Sequence, residues 1–223
     1  MFVARSIIAA SKRPLFFFLP ALLLLAAWSC RTAAPPATDP VEFIILQLND
    51  VYEITPLEGG KAGGLARVAT IRERLLAENP NTITILAGDF LSPSLTALLK
   101  LDSGERIAGL QMVETLNALG VDYVTFGNHE FDISDPELLQ RRIDQSAFRY
   151  VICNVLRTDG GAARPFTQLV DGRRVDIPPY LIHEIPRPGG SPLRIGLIGV
   201  LLPFNKTDNI RYKPVNESFL PPL

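Results

Sequence analysis

Cysteine is nearly absent from this chain, which has two in 223 residues, Cys30 and Cys153. Two cysteines cannot build a disulfide framework, so stability has to come from core packing. Neither sign of charge is in excess, with 22 Lys+Arg against 23 Asp+Glu. That excludes a basic track for a nucleic-acid polymer and an acidic solvating tail. No GxxxxGK[ST] or GxGxxG run is present, which removes the usual glycine-rich phosphate cradles, and no G-x-S-x-G elbow, which argues against a serine hydrolase. No internal repeat is visible, and no apolar run reaches the roughly 20 residues needed to cross a bilayer.

What is there is ordinary globular composition, 47% apolar and 20% charged, enough for one domain or a domain plus a fragment. Arg5, Lys12 and Arg13, with no acid among them, precede an apolar run from Leu15 to Ala27. This reads as a secretory leader over residues 1–29, and the exported remainder is mildly acidic. Ala27-Trp28-Ser29-Cys30 resembles the lipobox of bacterial lipoproteins, in which the cysteine is lipidated, and this predicts Cys30 as a lipid-anchored first residue. Ordinary cleavage near Thr32-Ala33-Ala34 is the alternative. Residues 30–40, rich in Pro and Ala, read as a tether, and 41–223 as the folded part. The predicted location is periplasmic or cell-surface, with membrane attachment through the lipid. Cys153 then has no partner and reads as a small buried hydrophobe in the strand-like run Tyr150–Val155.

From Val41 the pattern alternates. Strands are predicted at Val41–Leu48, Thr82–Ala87, Tyr123–Phe126 and Tyr150–Val155, the first as a buried strand. Between them run three helices. The first carries the stripe Leu65, Val68, Ala69, Leu75 and Leu76, and the second runs from Ile107 to a stop at Gly120. The third has Asp135 as N-cap and Pro136 in its first position. Beyond Val155, short strands joined by Gly and Pro turns predict hairpins at the sheet's edge or a second sheet, at Phe166–Val170, Val175–Ile177, Leu181–Ile185 and Leu193–Val200. His183 lies in this part and reads as a packed or exposed strand residue rather than a ligand.

Three strands end in polar residues at an equal interval of 39: Asp50, Asp89 and Asn128, the last followed by His129, Glu130 and Asp132. In a parallel sheet these ends share the carboxyl edge, where open α/β sheets build their sites. Carboxylate, carboxamide and imidazole together suit divalent cations, with Asp89 able to bridge two of them. Two ions suit displacement at phosphorus. His129 is then placed to steady phosphoryl charge or protonate a leaving oxygen, with Asp132 orienting its ring. Taken singly, Asp50 and Asp89 would read as loop caps.

ILQLNDVYE (45–53), GGLARVATI (63–71), LAGDFLSPS (86–94) and FGNHEFD (126–132) resemble the calcineurin-like metallophosphoesterases, in the exported 5′-nucleotidase and cyclic-nucleotide phosphodiesterase branch. The resemblance spans about residues 42–202. It implies a four-layer α/β/β/α fold, here its N-terminal half, and two divalent ions, Mn, Zn, Mg or Co. By it Asp50 would be a ligand of the first ion, Asp89 the bridge, Asn128 a ligand of the second, and His129 with Asp132 the catalytic pair. The implied substrate is a small nucleotide or other phosphoester. Two departures stand out: Tyr52 occupies the place of the family's first-motif histidine, and the family's later histidine motifs and C-terminal substrate domain do not occur in this sequence. Two readings follow, a truncated phosphoester hydrolase and an inactive lipid-anchored binding or scaffold protein.

Overall fold

The computed structural model describes residues 40–204 and 207–214. Cys30, the leader and nearly all of the tether lie outside the described residues. Strands β1 (Ile44–Leu48), β2 (Thr82–Leu86), β3 (Tyr123–Val124) and β4 (Arg149–Tyr150) form a parallel sheet in chain order. The register sets Leu48 beside Leu86 and Leu86 beside Val124, so three carboxyl ends finish side by side. Each parallel crossover carries one helix, as the geometry of parallel pairing requires: α1 (Leu65–Glu78), α2 (Leu110–Leu119) and α3 (Pro136–Asp144). Strand β1 is shorter than expected and is not buried. It is a sheet edge whose residues alternate between half-buried and exposed, because it has a neighbour on one side only.

The helix punctuation follows the sequence. Gly120 adopts the left-handed conformation and returns its N–H to the carbonyls of Leu116 and Asn117, ending α2. Asp135 accepts from the N–H groups of Glu137 and Leu138 at 2.9 and 3.3 Å, opening α3 with Pro136 behind it. The helical face of the sheet is tied down by Arg72 of α1, whose Nε donates to Thr84 Oγ1 of β2 at 3.1 Å. On the other face Tyr123 Oη meets His183 Nδ1 at 2.9 Å, which holds the β9 (Tyr180–Ile185) and β10 (Leu193–Ile198) hairpin against the sheet. His183 is therefore a packed strand residue. Helix, sheet and second β layer are the α/β/β part of the expected four-layer arrangement, and among the described residues no helix follows α3.

The predicted strand Tyr150–Val155 is broken. The parallel pairing stops at Tyr150, and the backbone then leaves the sheet to reach other partners: Ile152 N–H donates to Pro178 O and Cys153 N–H to Gly199 O. The buried Asn154 exchanges two hydrogen bonds with Leu201. A separate antiparallel sheet begins at β5 (Val155–Asp159), flanked by β6 (Ala162–Arg164) and β11 (Ile210–Tyr212). Strands β7 (Thr167–Val170) and β8 (Arg173–Asp176) make a further hairpin. Cys153 is free and buried, and burial pushes its thiol up, in keeping with a packing role. The core centres on aromatic rings: Phe126 lies 5.5 Å from Phe131, 5.1 Å from Phe166 and 5.1 Å from Tyr150 between ring centroids. Among the described residues no helix is long and apolar enough to cross a membrane.

Candidate active site

The carboxyl edge of the parallel sheet delivers its polar residues through tight turns. Asp50, two residues beyond β1, and Asp89, three beyond β2, both have left-handed backbones, with φ of 53° and 59°. Aspartate is among the few residues that tolerate this region. Asp50 N–H donates to Gly88 O at 3.2 Å, which joins the two turns. A β-carbon on Gly88 would collide with the Gly127 backbone, and one on Gly127 with the Asp89 carboxylate, so only glycine lets the second and third loops close on one another.

That closure brings Asp89 to His129. The Asp89 carboxylate accepts the His129 backbone N–H at 2.7 Å, and the His129 side chain in turn donates Nδ1–H to Asp132 at 2.7 Å. The Asp132 hydrogen bond, with lesser help from the charges of Asp132, Asp89 and Glu130, raises the His129 pKa above its ordinary value against the opposing effect of burial. With Nδ1 engaged, Nε2 is the ring nitrogen left for chemistry. Asp50 stands on the adjoining turn, which its backbone bond to Gly88 fastens beside Asp89. Its pKa is lowered by hydrogen bonds from Asn49 and Tyr52, the latter at 2.9 Å. Asn128 is half-buried at the head of the short 3-10 turn His129–Asp132. Thus Asp50, Asp89, His129 and Asp132 form one connected group, with Asn128 beside it, while Cys30 lies outside the described residues.

Two residues have roles that the sequence reading did not assign. Glu130 is fully buried and accepts four backbone N–H groups, from Asp89, Phe90, Leu91 and Gly127, at 2.6 to 3.1 Å. It clamps the loop that carries Asp89 to the loop that carries Asn128 and His129. Burial raises its pKa, against the four N–H donors that favour the charged form. A carboxylate between Phe126 and Phe131 was the available signal, since a charge in apolar company needs several donors. Tyr52 is the second. Its hydroxyl binds Asp50, its ring meets that of His129 edge to face at 5.9 Å, and burial holds its phenol protonated.

The donor set fits a hard divalent cation in part. Two carboxylates on adjoining turns repel unless a proton or a cation stands between them. Oxygen ligands from Asp50, Asp89 and Asn128 suit a magnesium- or manganese-like ion. Yet among the described residues no group of three or more His, Cys, Asp or Glu side chains is arranged to hold a metal ion.

Comparison with known proteins bears on the same residues. The calcineurin-like phosphoesterase family model matches residues 43–210. Snake venom 5′-nucleotidase of Gloydius brevicauda is 30% identical over 191 residues, covering 81% of this chain and 29% of that protein. The 5′-nucleotidase of Mus musculus is 27% identical over 230 residues, covering 94% of this chain and 37% of that protein. This chain therefore spans about a third of the length of the curated relatives it matches. Among solved structures, the NAD nucleotidase NadN of Haemophilus influenzae superposes with a TM-score of 0.60 at 21% identity, over 80% of this chain and 34% of that one, a likeness of fold. With three strand ends converging on Asp50, Asp89 and Asn128-His129 and the family model covering that whole stretch, the chain belongs to the calcineurin-like phosphoesterase family.

Proposed function

We propose that this chain carries the cation-binding and proton-donating half of an exported phosphoester hydrolase that acts on nucleotides or related small phosphoesters. The observation that carries the proposal is the linkage Asp50, Asp89, His129, Asp132, in which the Asp50 turn is bonded to the Asp89 turn and the Asp89 carboxylate fixes the backbone of the histidine. Asp50, Asp89 and Asn128 would hold the two cations. When bound, such cations supply Lewis acidity toward the phosphoryl oxygens. The residues supply the rest. Asp132 holds the His129 ring with Nδ1–H as donor, leaving Nε2 to give a proton to the departing ester oxygen. In that reaction the ester P–O bond breaks, a P–O bond to water forms, and the leaving oxygen ends as a hydroxyl. Glu130 keeps the two loops in register while this happens.

Export rests on the leader at 1–29, and membrane attachment on Cys30. A Cys30→Ser chain expressed in a bacterium should move from the detergent fraction to the soluble fraction. Hydrolysis is tested by phosphate release from nucleoside monophosphates with Mn2+, comparing the unaltered chain with Asp89→Ala and His129→Ala. Release of phosphate that both variants abolish supports the proposal, and release that neither alters sinks the site assignment. Tyr52 favours a second reading: its hydroxyl engages the Asp50 oxygen that a cation would need, as in a binding protein that has lost catalysis. Binding of nucleotide without any release of phosphate would select that reading.

A further inference from the structure

Between β2 and α2 the chain makes a protrusion, residues 92–109, that leaves four leucines outside the core. Leu95, Leu98 and Leu99 are 80%, 65% and 58% exposed, and Leu101 is exposed as well. A run of bare leucines on a folded surface marks a contact with something beyond the fold. Their exposure is built in. Ala97 and Ala108 take the buried side, and Ala108 N–H donates to Ala97 O at 3.0 Å and Ile107 N–H to Leu99 O at 2.9 Å. From beneath, the buried Arg142 of α3 donates to the carbonyls of Arg106, Ile107 and Ala108 at 3.0 to 3.2 Å. A protrusion fixed in this way presents its leucines with little ordering cost on contact.

The free charges beside the leucines are mostly cationic. Lys100 and Arg106 are exposed, stand side by side as partners of an antiparallel bridge, and among the described residues have no side-chain hydrogen bond or ion pair. Glu105 is held by Arg141 at 3.4 Å and Arg142 at 3.0 Å, which leaves Asp102 as the one free carboxylate of the protrusion. Asp132 and Asp135 nearby are committed to the His129 ring and to the start of α3. Leucines suited to acyl chains and free cations suited to anionic headgroups together match a phospholipid surface. The chain also has a reason to be near one. Residues 30–40 span at most about 40 Å when extended, so an anchor at Cys30 keeps the folded part within that reach of the bilayer.

We propose that the leucine protrusion is a second membrane contact, docking on a phospholipid surface that has an anionic fraction. The proposal rests on the reading of Cys30 as a lipid anchor. It adds an orientation: the protrusion starts three residues after Asp89, so docking turns the carboxyl edge of the sheet, with the candidate site, toward the lipid.

Fluorescence of the full chain tests it. Trp28 is the single tryptophan and lies in the leader, so Trp28→Phe gives a dark background into which Leu98→Trp sets a reporter, with Tyr180→Trp on the hairpin across the sheet as control. On vesicles of phosphatidylethanolamine and phosphatidylglycerol brominated in their acyl chains, the reporter at position 98 should be quenched about twofold or more, and the one at position 180 should stay bright. Lys100→Glu together with Arg106→Glu should restore the emission at position 98. An unquenched reporter at 98, equal quenching at both positions, or quenching that survives the two glutamates overturns the proposal. So does a blue shift at 98 that grows with protein concentration in the absence of vesicles, which would put a second copy of the chain on the leucines. Flotation of the unaltered chain and of Cys30→Ser with the same vesicles reads the anchor separately. If both float alike the anchor reading falls, while quenching confined to position 98 still shows the protrusion on lipid.

Discussion

Glu130 lies in the chain between the candidate site residues His129 and Asp132, with its charge turned to backbone N–H groups. Oε1 accepts from Phe90 and Leu91, and Oε2 from Asp89 and Gly127. Glu130→Gln keeps one oxygen and turns an NH2 toward two buried donors. Leaving buried N–H groups unpaired costs about 1–3 kcal/mol each, so urea unfolding should show a loss of about 2 kcal/mol or more with an unchanged m-value. A loss below about 0.5 kcal/mol, the scale of an ordinary surface substitution, would mean that the two loops stand without the clamp. His129 offers a second test. Its pKa is raised above the usual 6.5, so the protonated ring's bond to Asp132 is complete below that value and fades as pH climbs through the folded pKa. Both side chains are over a third exposed, at 35% and 42%, so screening keeps the effect on stability small and NMR is the better probe. In metal-free protein Asp132→Asn should bring the His129 titration down toward 6.5. An unmoved midpoint would show that Asp132 does not set the ring's basicity. At this scale the polar residues were legible because each follows a strand. Glu130 and Tyr52 were not, because their roles depend on which backbone donors and which carboxylate the fold brings to them.

Elements were legible where the signal was local. Asp135-Pro136 opens α3 through two hydrogen bonds to the next turn, and Asp135→Ala should therefore cost about 1 kcal/mol in urea unfolding. No change would assign the start of the helix to Pro136 alone. Gly120 ends α2 for an equally local reason, its left-handed backbone. Strand ends were less legible, since pairing with a neighbour decides them. Tyr150–Val155 reads as one strand by its apolar run, but Ile152, Cys153 and Asn154 hydrogen-bond to segments that begin 26 residues further along the chain, which no local pattern announces. The hairpin of β5 and β6 was missed because its outer residues carry little apolar alternation. Phe126 links this scale to the site. Its ring packs on Phe131, Phe166 and Tyr150 while its own carboxyl side begins Gly127-Asn128-His129. Phe126→Ala should cost about 3–5 kcal/mol, and hydrogen exchange should show the loss of protection spreading through residues 127–132.

At the scale of the whole molecule the two carboxylates and the fold are thermodynamically linked. Asp50 comes from the edge strand, Asp89 from its neighbour, and the turns that present them are joined by backbone hydrogen bonds from Ala87 to Leu48 and from Asp50 to Gly88. A cation bound between the carboxylates binds only the folded chain, so it stabilises the fold by RT ln(1 + [L]/Kd), about 2.7 kcal/mol at one hundred times Kd. For a domain of this size that corresponds to a rise of roughly 5–10 °C in melting temperature. Mn2+ should produce such a rise, and Asp89→Asn should abolish it, because a carboxamide in place of the shared carboxylate removes both the charge and the repulsion that a cation relieves. Tyr52→Phe separates the two readings of the site. Removing the hydroxyl frees the Asp50 oxygen that it now engages, so the Mn2+-induced rise should grow if the phenol competes with the cation. If the rise is absent in the unaltered chain but present in Tyr52→Phe, the phenol has closed the site and the chain is a binding protein. If the rise is present in both, Asp50 can turn one oxygen to the phenol and the other to the cation, and the hydrolase reading stands with Tyr52 as a positioning residue.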